Sequence, residues 1–228
     1  MDQARDTAFR VRRPRVARTV VAADDKRASR RDRSYGGLGD IAQHRLHAIA
    51  ARAYAHLGDL TSASRAIQLS EDRGQDVRDE LHDEVGGEFG FSEERLAMSN
   101  STTALLMGDA QQAEAEASRA IALLGQRAQD EQSAHVRAGA AADLAYARLL
   151  TDNVEGAADA LTPLWEIPTE QRNTGIVVRT ARIGRHLARP RYHGARLPST
   201  LREQIEEFTR VSPPYRLGPP VALLAIES

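Results

Sequence analysis

The chain has 228 residues, 41% of them hydrophobic but only 4% aromatic, with 38 alanines and no cysteine. That length suits one domain with a tail; the missing cysteines exclude a disulfide framework, a thiolate zinc site and a thiol nucleophile. The net charge of −1 names no partner, yet it is unevenly spread: residues 1–35 hold 11 basic and 5 acidic side chains, a balance of +6, and the remainder holds 20 and 27, a balance of −7. So few aromatics disfavour a bulky sandwich core, whereas alanine, the best helix former, favours helices that approach closely.

In chain order, residues 1–36 come first, an arginine-rich segment with no sustained period of 3.6 or 2. It cannot bury enough apolar surface to offset its ordering entropy, so disorder is the expectation. Arg10, Arg12, Arg13, Arg15 and Arg18 could form a basic arm for nucleic acid. The same charge could fold back onto the acidic body, or the segment could be a solvated tail. Its charges stand where a signal peptide would carry an apolar stretch. The longest apolar runs, such as 221–226, are about six residues against the roughly 20 of a membrane span. A cytoplasmic chain that spans no membrane is expected.

Residues 37–211 read as one helical domain. Over 44–67, Leu46, Ala50, Tyr54 and Leu57 fall on one helix face. Gly58-Asp59 interrupts, and Thr61 or Ser62 can cap a second helix whose face is Ala63, Ala66, Ile67 and Ser70. The pattern returns at Met107-Gly108-Asp109, followed by Ala113, Ala117, Ala120, Ile121 and Leu124, and again at Asp152-Asn153, followed by Ala157, Leu161 and Leu164. In each copy the turn residue is followed five positions later by alanine (Ala63, Ala113, Ala157) and seven further on by Ser70, Ala120 or Leu164. Small residues at those points let two antiparallel helices approach, and repeated pairs must stack because none buries its own apolar face. Two more helices are predicted. One covers 169–189 and is stopped by Pro190; the other opens on a Thr200-Leu201-Arg202-Glu203 capping box and ends at Pro213-Pro214. Residues 212–228 should form an extended C-terminal tail, docked or loose.

The spacing over about 40–165 resembles the tetratricopeptide repeat, with Tyr54 at the tyrosine position of the first helix, Gly58 at the turn and Ala63 at the packing alanine. His47 stands where that family prefers tryptophan, Asp152 replaces the third turn glycine, and the turns lie 50 and 44 residues apart. The resemblance implies an all-α helical-repeat superhelix of about eight helices. Over 37–228 the phrases GEFGFSEERLAMSNSTTALLMGD, DLAYARLLTDNVEGAADAL and RPRYHGARLPSTLREQIEEF resemble the C-terminal sensor half of actinobacterial Xre-like helix-turn-helix transcriptional regulators. That likeness implies a sensing or dimerising domain; residues 1–35 show no helix pair that would carry the family's DNA-reading half. A freestanding adaptor and a truncated regulator remnant are the alternatives.

Candidate chemistry is sparse. Residues 76–84 pack five carboxylates and His82 into nine positions, but the spacing fits neither an EF-hand loop nor a His-Glu-x-x-His zinc helix, so an acidic connector is expected and no metal or cofactor. In the following Gly86-Gly87-Glu88-Phe89-Gly90-Phe91, Phe91 can staple onto Leu96 ahead of an N-cap at Ser92, and Phe89 can plug the core or belong to a mobile lid. The histidines have no catalytic-spacing partner, and Gly-x-Ser-x-Gly is absent, so a non-catalytic binding domain is expected. The resemblance places the first helix of each pair along a concave groove. Counting back from the turns nominates Arg45, Ala48, Arg52 and His56, then Arg95, Met98, Thr102 and Leu105, then Ala142, Tyr146 and Leu149. Arg179, Arg182 and Arg185 recur every three residues and extend a basic wall. Guanidinium groups suit a carboxylate-bearing peptide, small molecule or protein surface, or they pair with acids on neighbouring helices. A homodimer is a further possible use of the surface.

Overall fold

The computed structural model describes residues 38–71 and 91–214, with side chains from residue 44 onward. The arginine-rich segment 1–36, the acidic run 76–84 with Phe89, and the end from 215 lie outside the described residues.

Within them the chain is all α, with no strand. Eight α-helices follow in order: α1 (Leu38–Leu57), α2 (Leu60–Glu71), α3 (Glu93–Met107), α4 (Ala110–Gly125), α5 (Ala134–Leu150), α6 (Val154–Trp165), α7 (Thr174–Leu187) and α8 (Arg196–Val211). They pack as consecutive pairs, and each first helix touches the next: α1 on α3, α3 on α5, α5 on α7. Helix α4 also lies against α5, so the second and third pairs are tightly joined. No helix among the described residues is long and apolar enough to cross a membrane.

A two-residue device ends one helix and starts the next. Gly58 (φ +74°) and Gly108 (φ +82°) take the left-handed conformation that glycine adopts without a Cβ penalty. The residue after each then caps the following helix: Asp59 Oδ1 accepts from Ser62 N at 3.0 Å and Asp109 Oδ1 from Gln112 N at 2.9 Å, each satisfying an amide the helix itself leaves unpaired. Asp59, rather than the expected Thr61 or Ser62, is thus the cap of α2. In the third copy Asp152 itself is left-handed (φ 61°), and Asn153 Oδ1 accepts from Gly156 N at 2.8 Å. The strained Asp152 is held from outside by Arg191, whose Nη1 lies 2.8 Å from Oδ1.

The packing positions are as small as the spacing predicts. Ala63, Ala113 and Ala157 have no exposed surface, nor do Ser70, Ala120 and Leu164. Between α3 and α4 the approach is close enough for Ser101 Oγ to donate directly to the Ala113 carbonyl at 2.8 Å.

Some faces are turned from the expectation. Leu46 and Ile121 point outward at 37% and 36% exposure, while Ala48, Ala51 and Ala55 fill the inner side of α1. Helix α1 is held by both α2 and α3, and a leucine there would overpack. The predicted helix 169–189 is shorter, because Asn173 Oδ1 accepts from Ile176 N at 3.1 Å and starts α7 at Thr174, after a 3-10 turn at Thr169–Gln171. The Thr200 capping box does not form. Helix α8 begins at Arg196, Pro198 is accommodated in its first turn where no amide bond is lost, and the Thr200 hydroxyl donates to the Arg196 carbonyl at 3.1 Å. Ser92 adopts the N-cap backbone of α3 without a side-chain cap bond.

Candidate functional site

Charge is sorted between the two members of each pair. The first helices (α1, α3, α5, α7) carry eight arginines and four carboxylates, and the second helices five and eight. Helix α7 alone has Arg179, Arg182 and Arg185 and no acid.

Part of that basic set converges on one face. From α1, Arg52 Nη2 donates to Ser99 Oγ of α3 at 2.9 Å. One turn along α3, Thr102 Oγ1 accepts from Arg179 Nη2 at 3.1 Å, and it lies 2.6 Å from Asp143 Oδ2 of α5, the acceptor for its proton. Arg179 Nε reaches the other oxygen of Asp143 at 3.2 Å, and Nη1 donates to the Gly175 carbonyl at 3.2 Å. Asp143 is 2% exposed, a burial sustained only because both its oxygens are bonded. One side of the cluster continues with Arg182, whose guanidinium stands 4.0 Å above the Tyr146 ring.

The arginines exceed what Asp143 can neutralise. Burial holds the Arg52 pKa below its ordinary value; the charge of Arg179 lowers it further and Asp143 raises it. Arg52 Nε is buried and bonds to nothing. His56, on the same helix, is pushed down first by desolvation and then by Arg52 and Arg182, so its imidazole is neutral at pH 7.

Of the residues nominated from sequence, Arg52, Thr102, Tyr146, Arg179 and Arg182 meet here, with His56 beside them. Arg45 is solvent-exposed, two turns before Arg52, and Arg95 is half-buried one turn before Ser99. Met98 is a correction: it is 5% exposed and packs with Ala97, Leu124, Val136 and Ala140. Its sulfur occupies space vacated by Gly139, where an added Cβ would lie 2.5 Å from Sδ. Ala48, Leu105, Ala142 and Leu149 are likewise core residues, not groove lining. Ser99 and Asp143 were not nominated, although a lone acid in the AGAAAD run of α5 was the available signal. Pairing with neighbouring acids also occurs, in Arg148 Nε to Glu114 at 2.9 Å and Arg127 Nε to Glu94 at 2.8 Å.

Next to the cluster, His186 of α7 meets Tyr146 edge-on at 5.4 Å and receives a 2.7 Å bond at Nε2 from Arg191. A guanidinium only donates, so Nε2 must be unprotonated. Desolvation, then Arg189 and Arg191, lower its pKa to about 4. A separate cleft of about 470 Å³ runs between α7 and α8, lined by Gly184, Arg185, Arg202, Ile205, Glu206 and Arg210 among others; it shares no residue with the arginine cluster. No set of three metal-ligating side chains occurs among the described residues. Compared with known proteins, the chain matches no family model, no curated protein and no solved structure.

Proposed function

We propose that the chain is a non-catalytic, tetratricopeptide-like binding domain whose first-helix face takes a peptide, small molecule or protein surface, and that it serves as the sensing or dimerising part of a transcriptional regulator. The observation that carries the reading is a linked set of polar contacts from four helices: Arg52 to Ser99, Thr102 and Arg179 to Asp143 and to each other, and Arg182 over Tyr146. Side chains drawn from separate helices onto one face are how helical arrays recognise partners. The non-catalytic part is supported by the setting of His56, which has guanidiniums as its charged neighbours, whereas a general base is tuned toward the working pH by an orienting acid. The regulator part rests on the sequence resemblance alone.

Alanine-methyl NMR of the full chain tests the face, because the helices carry alanines throughout. A short-peptide pool should perturb methyls of α1, α3, α5 and α7. Arg52→Glu combined with Arg182→Glu should erase that response while the helical CD signal stays. Perturbation that survives the double variant contradicts the reading. Binding to duplex DNA from the chain's own locus, for the full chain and for one starting at Gly36, separates regulator from adaptor. Sequence-specific binding lost with the N-terminal segment favours the regulator; sequence-blind, salt-labile binding favours the adaptor.

A further inference from the structure

Resting on the reading of the first-helix face as a binding face, we infer that Arg52, Arg179 and Arg182 form a subsite for a doubly charged oxyanion, with Asp143 as its resident competitor. The chemical class is a dianion, supplied by a phosphate group or by a dicarboxylate.

Of the three guanidiniums only Arg179 is paired with Asp143; Arg52 donates to Ser99 and Arg182 stands over the Tyr146 ring, so two positive charges have no carboxylate of their own among the described residues. Arg52 and Arg179 are tied to the same helix one turn apart, through Ser99 at 2.9 Å and Thr102 at 3.1 Å, so their forks are held in place before any ligand arrives. Fixed donors of this kind bind an anion without losing much side-chain entropy. Arg52 keeps a buried Nε with no acceptor, and leaving such a donor unpaired is destabilising. An oxyanion accepting from Nε would satisfy it with a charge-assisted bond. Arg182 has the Tyr146 ring beneath it and no acceptor among the described residues, so its edge is open to the same ligand. Asp143 already occupies Arg179 on one side. A ligand oxygen therefore competes with Asp143 for that guanidinium, and the net affinity is set by the difference.

Isothermal titration of the full chain tests this, using inorganic phosphate at pH 8 and succinate as probes, with acetate and chloride at matched ionic strength as controls. Saturable binding of one dianion per chain is expected, absent with acetate and chloride. Preference for phosphate or for succinate identifies the source of the charge. Arg52→Gln should weaken binding at least about tenfold, the loss of one charge-assisted pair. Asp143→Asn should strengthen it several-fold, which a purely structural Asp143 would not do. Should Arg52→Gln lose its helical CD signal, Arg182→Gln makes the same test from a half-buried stack. Equal responses to all four anions, or binding unchanged in these variants, overturns the subsite. The alanine-methyl spectra separate the two levels: a response to neutral peptides without dianion binding removes the subsite and leaves the face, and no response to either removes both.

Discussion

The first helix pair and the last two pairs are built from different materials. In α5–α8 the core is large and branched: Leu144, Leu149, Leu161, Leu164, Ile176, Ile183, Leu201, Ile205 and Phe208 belong to one buried cluster. Among the described residues the buried cluster of α1 and α2 is Ala51, Ala66 and Ile67, with Tyr54 and Met107 partly buried against it. A buried leucine or isoleucine contributes about 1.5–3 kcal/mol and an alanine methyl under about 1. The first pair is therefore held by close fit and by polar ties, such as Arg52 to Ser99 and Asn100 Nδ2 to Glu71 at 2.9 Å. The candidate site straddles this divide. Arg52 comes from the weakly anchored pair, Arg179 and Arg182 from the strongly anchored half. A ligand bonding both would add most to the weaker one.

The contrast can be broken most sharply by cavity formation. Leu161→Ala, at a site with no exposed surface, should cost about 3–4 kcal/mol in urea unfolding. Ile67→Ala, at 8% exposure in the small cluster, should cost about half that. Equal costs would show that the two regions are not differently built.

Acid should attack the strong half. His186 is neutral with a folded pKa of about 4 against an ordinary value near 6.5. Its contribution is fully present above pH 6.5 and is lost as pH falls toward 4, up to about 3 kcal/mol in total. His186→Gln should flatten that decline in a pH series of urea midpoints. A decline of unchanged slope assigns it to other groups.

Turn effects are smaller. Gly108→Ala meets no atom within 4 Å, so only the left-handed backbone (φ +82°) resists it, at about 1 kcal/mol. Smallest is Glu116→Gln on α4. Burial raises that carboxyl's pKa, Arg119 lowers it and Glu71 raises it again, and Oε2 accepts no hydrogen bond. Removing the charge should stabilise the chain at pH 7 by about 0.5–1 kcal/mol, read as a higher urea midpoint. Destabilisation would mean that the Arg119 contact at 3.6 Å outweighs desolvation.

What could be read in advance was whatever is local. Gly58-Asp59 and Gly108-Asp109 announce their turns because one residue must be left-handed and the next must cap. Ala63, Ala113 and Ala157 announce the helix contacts because only small side chains fit there. The outward turn of Leu46 and Ile121 was not legible, since crowding by a neighbouring helix leaves no trace in one helix's own period. Nor was the burial of Met98, which depends on Gly139 in a different helix. Within the site, counting back from the turns located Arg52, Thr102 and Tyr146, and the three-residue repeat in α7 located Arg179 and Arg182. It passed over Ser99 and Asp143, whose roles exist only through partners on other helices.

The most direct measurement is amide hydrogen exchange of the full chain with and without inorganic phosphate, beside Arg52→Gln. If Arg52 and Arg179 share one anion, phosphate will slow exchange in α1 around Ala51–Ala55 more than in α5–α8, and Arg52→Gln will abolish that difference. Uniform slowing along the chain, or protection of α1 that persists in Arg52→Gln, would contradict a shared site.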